Sequence, residues 1–191
     1  RWEDAETLPE EAQLADWLRA APDPMETIAD RNDAAGDVAQ RVQASFFRPP
    51  IAHASIGPSC AVARWDGERV EIWSHTQGPY NLRMDLAKAL RMPEEAILVR
   101  HVEGAGCYGH NGADDVALDA ALAARAAPGR PVRMLWTRAQ ELGWSPFSSA
   151  MLVEVSAGLD ASGGIAEFAV EVTSNGHSSR PGRGSLPTLL A

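Results

Sequence analysis

Residues 103–115 read Glu103-Gly104-Ala105-Gly106-Cys107-Tyr108-Gly109-His110-Asn111-Gly112-Ala113-Asp114-Asp115 and separate two segments of different character. The apolar residues 96–102 before them are typical of a short buried strand, and residues 116–127 after them carry leucine and alanine at helical spacing. Glycines at such a junction let backbone N–H groups approach a polar group that a Cβ atom would keep away. The stretch therefore predicts a ligand-binding loop between a strand and a helix.

Gly104, Gly106 and Gly109 form the pattern G-x-G-x-x-G, which occurs in dinucleotide-binding domains. Such a domain carries an Asp or Glu about 20 residues further on, where it binds the ribose hydroxyls. Here the next predicted strand, residues 131–136, is followed by Thr137-Arg138. Since the glycine pattern alone is weak evidence, an NAD(P)- or FAD-binding domain is kept as an alternative.

The composition is that of a globular chain of 191 residues with 45% hydrophobic residues and a net charge of −9. An acidic chain offers no basic surface to neutralise phosphates, which argues against a nucleic-acid partner. No apolar run approaches the roughly 20 residues that a membrane-spanning helix needs. Cys60 and Cys107 form no metal-ligand pair and at most one disulfide, so we expect no directly ligated metal and no transmembrane segment in this chain.

The two ends of the sequence suggest a piece of a longer protein. The chain begins at Arg1 without a methionine or a signal-like segment and stops at Ala191 after a run rich in glycine and serine. A helix is predicted near residues 7–20, and residues 21–40 are polar enough to form a linker. We therefore expect residues 1–40 to be a helix and linker from a preceding domain, and residues 41–191 to be the truncated first part of another.

From residue 41 onward, short strand-like segments alternate with helices. The predicted strands are residues 41–47, 60–65, 69–75, 96–102, 131–136, 150–157 and 165–173, and the predicted helices are residues 79–91, 116–127 and 138–142. Leu82, Leu86 and Leu90 recur every four residues, so they should share the buried face of one helix. These patterns predict an α+β fold with a mixed sheet and flanking helices.

Several segments, in their order along the chain, resemble the large, molybdenum-cofactor-binding subunit of the xanthine dehydrogenase and aldehyde oxidase family. The segments are Arg-Pro-Pro-Ile-Ala-His-Ala-Ser-Ile-Gly-Pro (48–58), Val-Glu-Ile-Trp-Ser-His-Thr-Gln-Gly-Pro (70–79), the glycine-rich residues 103–115, and Gly-Arg-Pro-Val-Arg-Met-Leu-Trp-Thr-Arg (129–138). Within the family the chain is most similar to the bacterial branch of isoquinoline 1-oxidoreductase, nicotinate dehydrogenase and membrane-associated aldehyde dehydrogenase large subunits.

The resemblance implies an enzyme that hydroxylates an aldehyde or an N-heteroaromatic carbon, with water as the oxygen source. It implies a molybdenum–pterin dinucleotide, in the cytosine form, and electron transfer to [2Fe–2S] clusters of a small partner subunit, with a cytochrome c subunit as a further partner. Two cysteines cannot supply the four ligands of one cluster. Because the general-base glutamate of the family lies nearer the C-terminus, this chain alone is expected to be inactive.

The resemblance also assigns cofactor contacts to particular residues. Gln77 occupies the position of a glutamine that approaches an oxo ligand of molybdenum, and residues 105–109 correspond to a Gly-Gly-Gly-Phe-Gly loop whose backbone amides face the oxygen ligands of the metal. Cofactor contacts are therefore expected from Gln77, Gly106, Cys107, Tyr108 and Gly109.

This chain departs from the family pattern at several positions. Cys107 replaces a glycine, Tyr108 replaces a phenylalanine, and His110-Asn111 replaces basic or glycine residues. Gly112 falls where purine-oxidising members carry a glutamate, which argues against a purine substrate.

Structural interpretations stand beside these functional ones. Gln77 is also compatible with a solvated turn, Cys107 with a small buried hydrophobe, and Asp114-Asp115 with a helix N-cap and a partner for the helix dipole. His53 and His75 are better explained as hydrogen-bonding residues than as metal ligands, because neither has a second ligand at the usual spacing.

Two broader questions stay open at this point. A non-catalytic interaction domain, with the tryptophans and residues 21–40 as contact sites, is the third hypothesis for function. The compartment is also open, and we favour the bacterial periplasm over the cytoplasm because the related branch includes periplasmic enzymes.

Overall fold

The structure is a computed structural model that describes residues 9–20, 26–31 and 36–174. Much of the predicted linker and the end of the chain from residue 175 lie outside the described residues. The strands are β1 (Gln40–Arg48), β2 (Cys60–Trp65), β3 (Val70–Ser74), β4 (Ile97–His101), β5 (Pro131–Leu135), β6 (Met151–Leu159) and β7 (Ile165–Ser174). The helices are α1 (Leu14–Arg19), α2 (Pro79–Leu90), α3 (Ala113–Arg125) and α4 (Arg138–Trp144), with short 3₁₀ turns at Glu11–Gln13 and Glu94–Ala96.

The described chain divides into two compact units. The first contains the described residues up to Ile51 together with those from Ser149 onward, and the second contains Ala52–Ser148. The predicted boundary at residue 40, with residues 1–40 assigned to a preceding domain, stays a prediction.

The first unit is a three-stranded antiparallel sheet in the order β1-β6-β7. Leu18 of α1 packs with Ala150 and Leu152 in a small core against one side of this sheet. The central cross-strand pairs on one face are apolar, and several of their large side chains are exposed in this chain. The exposed members of that face are Val42, Phe46, Phe168, Val170 and Val172.

The second unit is built on a four-stranded mixed sheet in the order β4-β3-β2-β5. β3 and β4 run parallel and are joined through α2, while β2 is antiparallel to both of its neighbours. An antiparallel strand in the middle of the sheet distinguishes it from the mostly parallel sheet of a dinucleotide-binding domain. The dinucleotide alternative therefore lacks the fold that its glycine pattern requires.

One face of the mixed sheet is buried under α2 and α3. Leu82, Leu86 and Leu90 are buried as their spacing predicted, and they join the same core as Val70 and Ile72 of β3. The buried side of α3 consists mainly of alanines, and small side chains let the helix axis approach the sheet closely. The fully buried alanines of α3 are Ala117, Ala120, Ala121 and Ala124.

These observations confirm the α+β class and the mixed sheet. Two features differ from the sequence interpretation. The strands form two separate sheets, and α3 begins at Ala113, three residues before the predicted start, because the polar residues Asp114 and Asp115 belong to its first turn.

Replacing a buried alanine of α3 tests this close packing. We expect Ala120→Leu to reduce the free energy of unfolding by about 1–3 kcal/mol, because the added carbons have no space between α3 and the sheet. The measurement is urea unfolding followed by circular dichroism. Ala126→Leu is the matched control, since Ala126 is exposed at the end of the same helix; equal stability of the two variants would contradict the packing described here.

Candidate functional site

The glycine loop (residues 102–110) and the Gln77 turn (residues 75–78) begin at the same edge of the mixed sheet. β3 and β4 are parallel, and their last residues, Ser74 and His101, are paired in register. The chain continues from β3 through residues 75–78 into α2, and from β4 through residues 102–112 into α3. Parallel neighbouring strands place their carboxyl ends together, so the two segments that the sequence singled out are neighbours in space.

The glycine loop has a backbone that presents free amide groups. Gly106 and Gly109 have positive φ angles of 87° and 130°, and Tyr108 between them has a φ of 55°. Within the described part of the chain, the amides of residues 105–109 donate no hydrogen bond. Consecutive unpaired N–H groups in an exposed loop are available to water or to the oxygen atoms of an anionic or polar ligand.

The close approach of His53 explains why residue 109 is a glycine. A Cβ atom on Gly109 would overlap the imidazole ring of His53. That ring donates from Nδ1 to the carbonyl oxygen of His110 over 2.6 Å. His53 is therefore a hydrogen-bonding residue that supports the loop, as the sequence predicted.

Gln77 is exposed at the turn between β3 and α2. Its side-chain amide makes no hydrogen bond to the residues that the structure describes. Its neighbours are fixed: Thr76 is 2% exposed, and the Thr76 hydroxyl accepts a hydrogen bond from the amide of Gly78 over 3.1 Å. The turn thus holds a free amide group between two anchored residues.

His75 is half-buried between two hydrogen-bond donors. The amide of Cys60 points to His75 Nε2 at 3.4 Å, and Asn111 Nδ2 lies 3.3 Å from His75 Nδ1. Desolvation lowers the pKa of His75, the nearby His101 lowers it further, and the Glu141 carboxylate acts in the opposite direction. A neutral ring can accept a hydrogen bond at one of its two nitrogens, whereas a protonated ring can accept none.

Glu141 anchors the segment that precedes β2. This carboxylate is 1% exposed and accepts hydrogen bonds from the amide of Ser59 at 2.7 Å and from the Ser59 hydroxyl at 3.2 Å. In the same helix, Arg138 donates to the carbonyl oxygens of Ser55 and Ile56 over 2.7 and 2.5 Å. Helix α4 therefore fixes the first of the segments that carry the family resemblance.

The remaining candidates have defined places. Cys107 is half-buried, and its thiol donates to the carbonyl oxygen of Gly109 over 3.2 Å; Cys60 and Cys107 are both free. Tyr108 is 61% exposed. The N-cap of α3 is Gly112, so neither Asp114 nor Asp115 is the cap. Both lie in the first helical turn, where a carboxylate interacts favourably with the helix dipole.

The described residues contain no group of three or more His, Cys, Asp or Glu side chains arranged to hold a metal ion. Within the same ranges, no helix has the length and apolar character needed to cross a membrane.

The sequence interpretation did not identify Thr76, Asn111 or Glu141. Each acts through a hydrogen bond to a residue 5 to 82 positions away in sequence. Thr76 and Asn111 stood inside segments already singled out, but no spacing rule connects them to their partners. The roles of Gln77, Gly106, Cys107, Tyr108 and Gly109 toward a cofactor stay predictions.

Comparison with known proteins identifies the family. The family model for the molybdopterin cofactor-binding domain matches residues 21–189. A nicotinate dehydrogenase subunit of Pseudomonas putida is 43% identical over 174 residues, which are 88% of this chain and 15% of that protein. The aldehyde oxidoreductase molybdenum-binding subunit PaoC of Escherichia coli K12 is 32% identical over 164 residues, which are 83% of this chain and 22% of that protein.

Solved structures share the fold. Quinoline 2-oxidoreductase from Pseudomonas putida 86 superposes with a TM-score of 0.61 at 23% identity, covering 71% of this chain and 17% of that one. CO dehydrogenase from Oligotropha carboxidovorans gives a TM-score of 0.58 at 20% identity, with the same coverage. The chain spans about a fifth or less of the length of the curated relatives given above.

Three findings agree on the family: its model matches most of the chain, two relatives exceed 30% identity, and the solved structures share the fold. The chain belongs to the molybdopterin cofactor-binding domain family.

Proposed function

We propose that this chain is the part of a catalytic subunit that holds the molybdenum of a pterin dinucleotide while an N-heteroaromatic or aldehyde carbon is hydroxylated with water. The proposal rests on one observation: the free backbone amides of residues 105–109 and the free side-chain amide of Gln77 belong to segments that begin at the same edge of the sheet. Both groups donate hydrogen bonds without titrating, so they can bind oxygen atoms without changing the charge near a metal.

The residues present fit such a cofactor. The loop carries positive φ angles at Gly106 and Gly109, and its amides are not used within the described protein. When bound, the cofactor would supply the site at which two electrons and the oxygen of water are exchanged with the substrate carbon. In this proposal, Gln77 and the loop amides would donate hydrogen bonds to oxygen atoms of the cofactor.

The overall reaction balances as one water and one C–H group giving one C–OH group, two protons and two electrons. We infer that the electrons pass to [2Fe–2S] clusters of a small partner subunit, with a cytochrome c subunit as a further acceptor. The cytosine form of the pterin dinucleotide, a periplasmic location and a general-base glutamate outside this chain are parts of the same proposal.

An N-heteroaromatic substrate is the first candidate. The relative with 43% identity is a nicotinate dehydrogenase subunit, whereas the aldehyde oxidoreductase subunit is 32% identical. Gly112, which takes the position of the glutamate in purine-oxidising members, is buried, and a Cβ atom there would overlap the indole of Trp136. A glutamate side chain has no space at this position, which supports a substrate other than a purine.

Labelled water tests the reaction. The full-length gene product, produced with its neighbouring iron–sulfur subunit, should convert nicotinate or an aromatic aldehyde to a product that carries ¹⁸O when the reaction is run in H₂¹⁸O. Mass spectrometry of the product gives the result. Label from ¹⁸O₂ instead of water, or no turnover of either class by molybdenum-loaded enzyme, would contradict the proposal.

Substitution of Gln77 tests its predicted contact. We expect Gln77→Ala to lower kcat by about 10- to 100-fold while the molybdenum content falls much less, because a ligand contact is lost but the loop amides remain. Steady-state kinetics and elemental mass spectrometry measure the two quantities. Gln43→Ala, at an exposed position of β1, is the control; unchanged turnover in the Gln77 variant would remove the proposed role.

Substitution of Gly109 tests the shape of the loop. We expect Gly109→Ala to lower the molybdenum content per chain severalfold, because the new Cβ atom meets His53 and the φ of 130° is unfavourable for alanine. Elemental mass spectrometry after gel filtration gives the content. Gly129→Ala is the matched control, since Gly129 also has a positive φ but has open space around it; equal molybdenum content in both variants would contradict the assignment.

A further inference from the structure

The glycine loop and the Gln77 turn are both tied to the same short segment, residues 111–114, which we term the α3 entry. Residues 112 and 113 form the N-cap and the first residue of α3, so the α3 entry is fixed to the buried core of the second unit. Ser74, the last residue of β3, donates from its hydroxyl to the carbonyl oxygen of Ala113 over 3.2 Å. The α3 entry is thus bonded directly to the strand that leads into the Gln77 turn.

Asn111 ties the glycine loop to the α3 entry. Asn111 is only 6% exposed, and its Nδ2 donates to the carbonyl oxygen of Gly106 over 3.1 Å. The same Nδ2 faces His75 Nδ1 at 3.3 Å, and Oδ1 accepts from the amide of Ala113 at 3.1 Å. One buried amide therefore joins the middle of the loop, the end of β3 and the start of α3.

Asp114 ties the Gln77 turn to the α3 entry. The hydroxyl of Thr76 donates to Asp114 Oδ1 over 2.6 Å, a short bond to a charged acceptor. The same hydroxyl accepts a hydrogen bond from the amide of Gly78. The carbonyl oxygen of Thr76 lies 2.9 Å from His101 Nδ1. Gln77 therefore lies between Thr76, which is bonded to Asp114, and Gly78, which is bonded to Thr76.

We propose that Asn111 and Asp114 are positioning residues that hold the glycine loop and Gln77 in a fixed relation to each other. This inference rests on the proposed function, because it concerns two segments that would contact one cofactor. A ligand held by both segments needs their donors at a constant separation, and supporting hydrogen bonds of this kind hold a metal's contacts in place. Polar groups that each make several hydrogen bonds are suited to this task because each bond restricts the geometry of the next.

Three variants of the full-length subunit, produced with its iron–sulfur partner, test the Thr76–Asp114 bond. Thr76→Val removes the hydroxyl at nearly constant volume, Thr76→Ser keeps it, and Asp115→Asn changes the carboxylate that follows Asp114 in sequence. We expect Thr76→Val to lower kcat by about 10- to 100-fold with little change in KM, and to alter the Mo(V) electron paramagnetic resonance spectrum. Thr76→Ser and Asp115→Asn should keep the wild-type spectrum and kcat.

A double variant checks that the two residues act through one bond. If they do, Thr76→Val combined with Asp114→Ala should lower kcat no further than the more impaired single variant. Independent, multiplicative losses would overturn the assigned coupling. Asn111→Asp, which keeps Oδ1 but removes the donor to Gly106, should change the Mo(V) spectrum and release molybdenum on gel filtration; it also serves if Thr76→Val does not fold.

The outcomes separate this inference from the proposed function. A wild-type subunit without molybdenum overturns both. A molybdenum-loaded wild-type enzyme with an unchanged spectrum and kcat in Thr76→Val and Asn111→Asp overturns the positioning role alone. A Thr76→Ser variant as impaired as Thr76→Val would also overturn it, because the loss would then not depend on the hydroxyl.

Discussion

The parallel pairing of β3 with β4 is the constraint on which the candidate site depends. It brings the ends of two strands, Ser74 and His101, to the same edge of the sheet, and so places two segments separated in sequence beside each other. The buried alanines of α3 let that helix pack closely on the sheet, which fixes the residues at its start. A change in the register of β4 by one residue would move the glycine loop relative to Gln77 and would also turn the apolar side of β4 away from the core.

The site combines rigid supports with unused donors. Glu141, Thr76 and Asn111 are buried and hydrogen-bonded to neighbouring segments. In contrast, the backbone amides of residues 105–109 and the exposed side chain of Gln77 bind nothing within the described chain. Donors that are held in place before a ligand arrives lose little freedom on binding, which is the arrangement expected of a cofactor site.

The sequence predicted local structure well because local structure here follows local patterns. The spacing of Leu82, Leu86 and Leu90 identified the buried face of α2. The glycines of residues 103–115 also predicted a loop, and Gly109 has a φ of 130°, which few residues other than glycine adopt. The family followed from the order of several segments, and the comparisons confirmed it.

The contacts between segments could not be predicted in the same way. The division into two sheets depends on which strands pair, and neither periodicity nor turn chemistry specifies that choice. The bond from Thr76 to Asp114 spans 38 residues, and the bond from Ser59 to Glu141 spans 82. Asp114 looked like a helix cap by sequence, but the structure uses Gly112 as the cap and Asp114 as the acceptor for Thr76.

The decisive measurement is the molybdenum-to-protein ratio of the full-length gene product. The protein should be produced with the proposed iron–sulfur partner, in cells that make the pterin cofactor, and the ratio measured by elemental mass spectrometry. We expect about one molybdenum atom per chain. A purified, folded subunit without molybdenum would contradict it.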